Sequence, residues 1–285
     1  MNPNSELYAL IQKYQTSFTK SEQKIADYLL QNDRSALNMS ITDLAQHCGV
    51  GDTTVFRFCK TLKLGGYQSF KMLLAQASVE KESVITLSDK VAINDSANEV
   101  FSKLLENSIQ ALTETYRLLH ACEIGQAVSY LSDARLIHFF GVGSSGVTAL
   151  EAKNKFCRIL PNVCFIEDGH MQAMTAALLG PEDLAVAFSY SGSTKDTIEV
   201  LRHAKQRGAK TICVTHFAEA PLTAYADLVL LCGGNEGPFQ GGSMAAKLSQ
   251  LFLLDILYTE FFRKNDARCD ENKRLSTRAI SDRML

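Results

Sequence analysis

No stretch of this 285-residue chain reaches the ~18 consecutive apolar residues of a membrane span; the longest run, Leu251 to Leu257, is broken by Asp255. The first residues, Met1-Asn2-Pro3-Asn4-Ser5-Glu6, lack a basic segment followed by an apolar core, so no secretory leader is expected. The eight cysteines form no Cys-x-x-Cys pair and have no His in ligand spacing, which excludes a metal knuckle and a disulfide scaffold. Cys157, Cys164 and Cys213 fall in apolar runs, where cysteine acts as a small buried hydrophobe. A reducing, cytoplasmic setting is expected, with no metal and no cofactor. Neither charge is in excess: 29 Lys and Arg against 31 Asp and Glu give a net charge of −2. That excludes wholesale polyanion binding but leaves room for a local basic face.

What is present suits a soluble two-domain protein. Hydrophobic residues make up 46% of the chain, and a prior of ~150 residues per domain gives about two domains. The stretch Ser189-Tyr190-Ser191-Gly192-Ser193-Thr194 organises the second. An apolar run, Leu184 to Phe188, precedes it as a buried strand, and Ile198, Leu201 and Ala204 follow at helical spacing. A strand feeding such a turn into a helix directs N–H groups, hydroxyls and the positive helix end at one point. A phosphoryl group fits there; the plainer alternative is that Ser193 or Thr194 merely caps the helix.

Residues 1–78 read as entirely helical. Thr19 with Glu22, and Ser40 with Asp43, are spaced as capping boxes. The helix opened by Ser40 ends at Gly49-Val50-Gly51, with Val50 buried beneath the turn. A further helix, capped by Asp52, runs from Thr53 to about Leu62. This is the grammar of a helix-turn-helix. Val55, Phe58, Cys59 and Leu62 point inward, leaving Thr53, Thr54, Arg57, Lys60 and Lys63 outward. Thr and Arg suit base edges, and Lys60, Lys63 and Lys71 suit phosphates. The alternative is a solvated basic helix face. Between 79 and 96 the hydrophobic pattern thins into a linker.

From 97 the chain is helical to about His120, and then strands alternate with helices. The strands are Leu136–Phe140, Val163–Ile166, Leu184–Phe188, Lys210–Thr215 and Asp227–Leu231, which predicts a doubly wound α/β domain with a five-stranded parallel sheet. Gly141-x-Gly143-x-x-Gly146 leaves the first strand and resembles a dinucleotide fingerprint, with Glu167 at ribose-binding distance along the chain. Two serines fill that loop, however, and the second serine turn would have no role.

Thr54-Val55-x-Arg57-Phe58-Cys59-Lys60 and Gly66-Tyr67-x-x-Phe70-Lys71 resemble the DNA-binding domain of RpiR-type regulators. Phe140-Gly141-x-Gly143-x-Ser145 and Ser189 to Thr194 resemble a SIS (sugar-isomerase) domain, and the domain order matches. The resemblance implies a regulator with 1–78 as the all-α DNA-binding domain and 97–285 as the phosphosugar-binding domain. It implies that Ser189, Ser191, Ser193 and Thr194 hold the phosphate and that Ser144 and Ser145 contact the same ligand. It further implies that His170, in Asp168-x-His170, and Ser243 reach that ligand. The expected partners are double-stranded operator DNA, a phosphorylated sugar and further copies of the chain, as a homodimer or homotetramer through helices near 97–120 and 244–262. The loop 233–238 is expected as a lid. Two alternatives stand beside this reading: an NAD(H)-binding redox-sensing repressor, and an aldose–ketose isomerase using Glu167, His170, Glu182, His216 or Glu236. A DNA-reading domain joined to a sugar site favours sensing over turnover, so the chain is not expected to be an enzyme.

Overall fold

The computed structural model describes residues 5–37, 39–78, 91–234 and 243–281. Most of the expected linker and lid, including Glu236, lies outside them. The chain divides into two compact units, the first reaching to residue 106 and the second beginning at 107.

The first unit contains α1 (Glu6–Tyr14), α2 (Lys20–Ala36), α3 (Ile41–Cys48), α4 (Asp52–Thr61) and α5 (Tyr67–Ser78). Both capping boxes form. Thr19 donates through N–H and hydroxyl to Glu22 at 2.8 Å, and Ser40 and Asp43 exchange bonds of 2.8 and 3.0 Å. The second oxygen of Glu22 accepts from the Thr61 hydroxyl at 2.8 Å and so ties α2 to α4. Burial raises the Glu22 pKa, but these bonds and the charge of Arg57 outweigh it and hold the carboxyl below its ordinary value. Phe58 fills the core, its ring 5.2 Å from Phe18 and 6.2 Å from Phe70.

Gly49 closes α3 at φ +62°, and the Val50 N–H returns to the Ala45 carbonyl at 2.9 Å. The left-handed conformation favours glycine, and small Ala45 is buried where α3 meets α4. Two expectations are corrected here. Val50 is half-buried rather than buried. The N-cap of α4 is Gly51, which contributes no side-chain bond; Asp52 is the first helical residue, and its carboxylate accepts from the Thr42 hydroxyl at 3.1 Å.

Past α4, Lys63 is the non-glycine residue with positive φ among the described residues, at +63°. A side chain in this region carries strain, so Lys63→Gly is expected to raise stability by roughly 0.5–1 kcal/mol. The check is a higher urea midpoint with an unchanged slope.

Helix α6 (Ala97–Leu118) leads into the second unit. It is followed by α7 (Ala121–Asp133), β1 (Leu136–Phe140), α8 (Gly143–Phe156), β2 (Val163–Phe165) and α9 (Gly169–Ala176). Then come β3 (Asp183–Phe188), α10 (Lys195–Gln206), β4 (Lys210–Thr215), β5 (Leu228–Leu231), α11 (Met244–Lys264) and α12 (Asp266–Ser281). All five strands pair in parallel, in the order β2-β1-β3-β4-β5. Against the pattern-based bounds, β2 and β5 are one residue shorter and β3 one longer. Every residue of β3 is buried, as a central strand covered on both faces requires. One face packs Phe139, Phe188 and Val214 against Val128, Phe156 and Phe261 of α7, α8 and α11. The other packs Phe140, Ala187 and Cys213 against Ala176, Val200 and Leu201 of α9 and α10.

Of the three cysteines expected inside, Cys213 is buried, Cys164 is half-buried and Cys157 is exposed at the end of α8. Helix α12 was not foreseen. Its one buried residue is Cys269, so no apolar stripe announces it. It is held instead by Asn272 and Ser276, which donate to the Ile159 and Arg158 carbonyls at 2.8 and 2.9 Å.

Candidate functional site

Strand order reverses between β1 and β3: β2 lies beyond β1 on one side, and β4 and β5 beyond β3 on the other. A crevice outside the carboxyl ends of two such strands is where ligands of open α/β sheets bind. The two loops singled out by sequence leave these two strands, which pair as far as Phe140 opposite Ala187. The order also differs from the 3-2-1-4-5-6 arrangement of dinucleotide folds, which counts against the NAD(H) reading.

Both helices that follow the loops start without a side-chain cap. The N-cap of α8 is Val142, which has no acceptor, and that of α10 is Thr194, whose hydroxyl makes no cap bond. The plain-cap alternative therefore fails at Thr194. Its oxygen instead accepts from the buried Ser189 hydroxyl at 3.3 Å. Ser191 Oγ accepts from the Ser193 N–H at 3.3 Å, and the Ser193 hydroxyl donates to the Ser191 carbonyl at 3.2 Å. Ser191, Ser193 and Thr194 are half-buried, as are Ser144 and Ser145 in the first turn of α8. First-turn N–H groups lack intrahelical partners, so two helix ends present donors and partial positive charge at neighbouring strand ends.

The turn is fixed from beneath. Gly192 adopts φ +59°, and a Cβ there would lie 2.3 Å from Ala220 Cβ and 2.9 Å from Thr215 Oγ1. Its carbonyl accepts from the Leu222 N–H at 3.0 Å. Thr215 Oγ–H and the His216 N–H both donate to the Tyr190 carbonyl, at 3.1 and 3.0 Å, and the rings of Tyr190 and His216 stack 5.0 Å apart. The Tyr190 hydroxyl donates to the Gly234 carbonyl.

The other loop is held by Gln172, a residue that sequence reasoning missed. It is 1% exposed; its amide accepts from the Gly141 N–H at 3.2 Å and donates to the Gly141 and Ile166 carbonyls at 2.9 and 2.8 Å. A Cβ on Gly141 would meet the Ser145 carbonyl oxygen at 2.8 Å, so that glycine permits the close return of α8 onto β1.

The remaining candidates lie on other elements, and of these His216 stacks on Tyr190 of the turn. His170 is exposed and lines a cleft of about 310 Å³ with Asp196, Glu199 and His203, between α9 and α10. Ser243 is the N-cap of α11, its hydroxyl oxygen accepting from the Ala246 N–H at 3.1 Å. Glu182 precedes β3, at the amino end of the sheet, beside Arg135 at 3.7 Å. It is on the wrong edge to act on a ligand at the carboxyl ends. His216 Nδ1 lies 2.9 Å from the Cys232 carbonyl oxygen.

In the first unit, Thr53, Arg57, Lys60 and Lys63 are exposed and Thr54 is half-buried. Lys60 Nζ donates to the Gly65 carbonyl at 2.7 Å. Lys71 does not join this face. Its ammonium turns inward and donates to the carbonyls of Leu37 and of Met39, the latter at 2.9 Å. The Tyr67 hydroxyl donates to the Met39 and Ser40 carbonyls at 3.1 Å. Together they staple α5 to the α2–α3 corner, where the open carbonyls after α2 attract a cation.

Two family profiles match. Residues 5–81 match the helix-turn-helix domain of the rpiR family, and residues 130–260 match the SIS domain. An uncharacterized HTH-type transcriptional regulator of Haemophilus influenzae is 35% identical over 94% of both chains. The HTH-type transcriptional regulator HexR of Pseudomonas aeruginosa is 35% identical over 87% of this chain and 86% of its own. Among solved structures, the Vibrio vulnificus NanR protein complexed with ManNAc-6P superposes with a TM-score of 0.83 at 25% identity, over 97% of this chain and 99% of that one.

Proposed function

The chain belongs to the rpiR family of helix-turn-helix transcriptional regulators carrying a SIS domain, and on that premise we propose that a phosphorylated sugar controls its binding to operator DNA. The observation that carries this reading is the pair of uncapped helix N-termini, α8 and α10, at the adjacent carboxyl ends of β1 and β3. Ser189, Ser191, Ser193 and Thr194 surround the phosphate, and Ser144 and Ser145 approach it from the neighbouring loop. A sugar phosphate bound to NanR supports the same class of ligand here. His170 and Ser243 flank the sugar end. The protein senses the sugar rather than converting it.

The DNA contacts are made by Thr53, Thr54, Arg57, Lys60 and Lys63. Two protomers present α4 to successive major grooves ~34 Å apart. They associate through α6, which leaves Phe101, Leu104, Leu105, Ile109 and Tyr116 exposed. Helix α11, expected to share that role, buries Leu253, Leu254, Leu257 and Phe261 within its own core. Sedimentation equilibrium distinguishes two copies from four.

A thermal-shift screen against sugar phosphates and NAD(H) tests the assignment. A sugar phosphate at ~100 times its dissociation constant is expected to add ~2.7 kcal/mol of stability. Ser191→Ala is expected to lose that shift and the effector response while keeping operator binding. A shift with NADH alone, or an undiminished response in Ser191→Ala, would transfer the site elsewhere.

A further inference from the structure

Along α4, Thr53, Phe56, Arg57 and Lys60 follow at i, i+3, i+4 and i+7, a single stripe on the helix surface. All four are exposed, while Val55, Phe58 and Cys59 face the core. Phe56 is 47% exposed. A single exposed phenylalanine is ordinary on a protein surface, but this one differs in two respects. It is the large apolar side chain in a stripe otherwise made of hydroxyl and cationic groups. Its ring is also held in place: Lys60 Nζ sits 5.3 Å from the ring centroid while donating to the Gly65 carbonyl at 2.7 Å. The ring edge borders Gly66, where an added Cβ would lie 3.9 Å from Phe56 Cε2. The stripe therefore presents a pre-positioned apolar face among hydroxyl and cationic positions.

Base edges in the major groove offer hydrogen-bond donors and acceptors at every pair, and one apolar group, the thymine 5-methyl. We infer that Phe56 is a specificity-determining residue that reads thymine methyl groups in each operator half-site. Arg57 and Thr53 then supply the polar part of the same readout. The inference rests on the DNA-binding role proposed for α4, and the test separates the two.

The full chain is used to select duplexes from a random library, and the selected operator is resynthesised with each thymine in turn replaced by deoxyuridine, which removes only the methyl. At one or two positions per half-site the wild-type protein is expected to lose affinity roughly fourfold, the worth of one buried methyl group. Phe56→Ala is expected to bind the thymine operator with a similar deficit and to show no further loss at those positions, closing a double-mutant cycle. If Phe56→Ala fails to fold by circular dichroism, Phe56→Gln takes its place in the cycle. Selection that enriches no sequence would overturn the DNA-binding role itself. An enriched operator without a deoxyuridine-sensitive position, or with a loss that persists in the Phe56 variant, would leave that role standing and overturn the assignment of Phe56.

Discussion

Gly192→Ala is expected to abolish stabilisation by a sugar phosphate and to lower the unfolding free energy by ~3 kcal/mol. Two costs combine. The backbone at φ +59° is left-handed, which charges an L side chain ~1–2 kcal/mol. The new methyl would also sit 2.3 Å from Ala220 Cβ and 2.9 Å from Thr215 Oγ1, and overpacking of this kind costs ~1–3 kcal/mol. Neither neighbour gives way easily, because Ala220 has no rotamer to change and the Thr215 hydroxyl is engaged with the Tyr190 carbonyl. Relief requires the turn to lift, which carries the Ser189, Ser191 and Ser193 hydroxyls away from the α10 N-terminus. Gly143→Ala is the control. It shares the strained backbone, at φ +57°, but its added Cβ meets nothing within 4 Å, so it should cost only ~1–2 kcal/mol and spare the turn. Chemical unfolding and the sugar-phosphate thermal shift measure both effects. Wild-type stability with an intact shift in Gly192→Ala would contradict the site.

Much of this architecture is legible in the sequence because local signals and burial agree. The capping boxes at Thr19 and Ser40, the left-handed Gly49 and the apolar strands each carry their own short-range cause. So does the serine turn, because a strand, a glycine and four hydroxyls must lie within a few residues of one another. What escaped depends on partners distant in the chain. Strand order, which brings the two loops to one crevice, is decided by crossovers that periodicity does not encode. Gln172 looks like any helical glutamine until β1 and β2 place the Gly141 and Ile166 backbones beside it. Helix α12 docks through one buried cysteine and two polar contacts rather than an apolar stripe. Lys71 misled for the opposite reason: a lysine after a helix-turn-helix reads as a phosphate contact, and only the packing of α5 on the α2–α3 corner shows that its ammonium is already occupied.

That occupancy has a measurable signature. Burial lowers the Lys71 pKa from the ordinary 10.5 to about 8, although the Asp43 carboxylate pulls the other way. The folded protein therefore binds fewer protons at this site than the unfolded chain between those two values, and stability rises with pH across that window. The difference is bounded by ~3 kcal/mol at 1.36 kcal/mol per pKa unit, and the bonds from the ammonium to the Leu37 and Met39 carbonyls reduce it. Cysteine and tyrosine titrations overlap the same range, so the quantity to compare is the difference between wild type and Lys71→Met, followed by circular dichroism in urea at a series of pH values; the chain has no tryptophan to report by fluorescence. Wild type is expected to gain stability relative to the variant from pH 8 to pH 10. On operator DNA the two lysines should separate as well. Lys63→Gln removes an exposed charge and is expected to flatten the dependence of log affinity on log salt by ~0.9, whereas Lys71→Met leaves that slope unchanged. A slope reduced in Lys71→Met would mean that the ammonium leaves its carbonyls to reach a phosphate in the complex, and the staple between α5 and the helix-turn-helix would then be a property of the free protein alone.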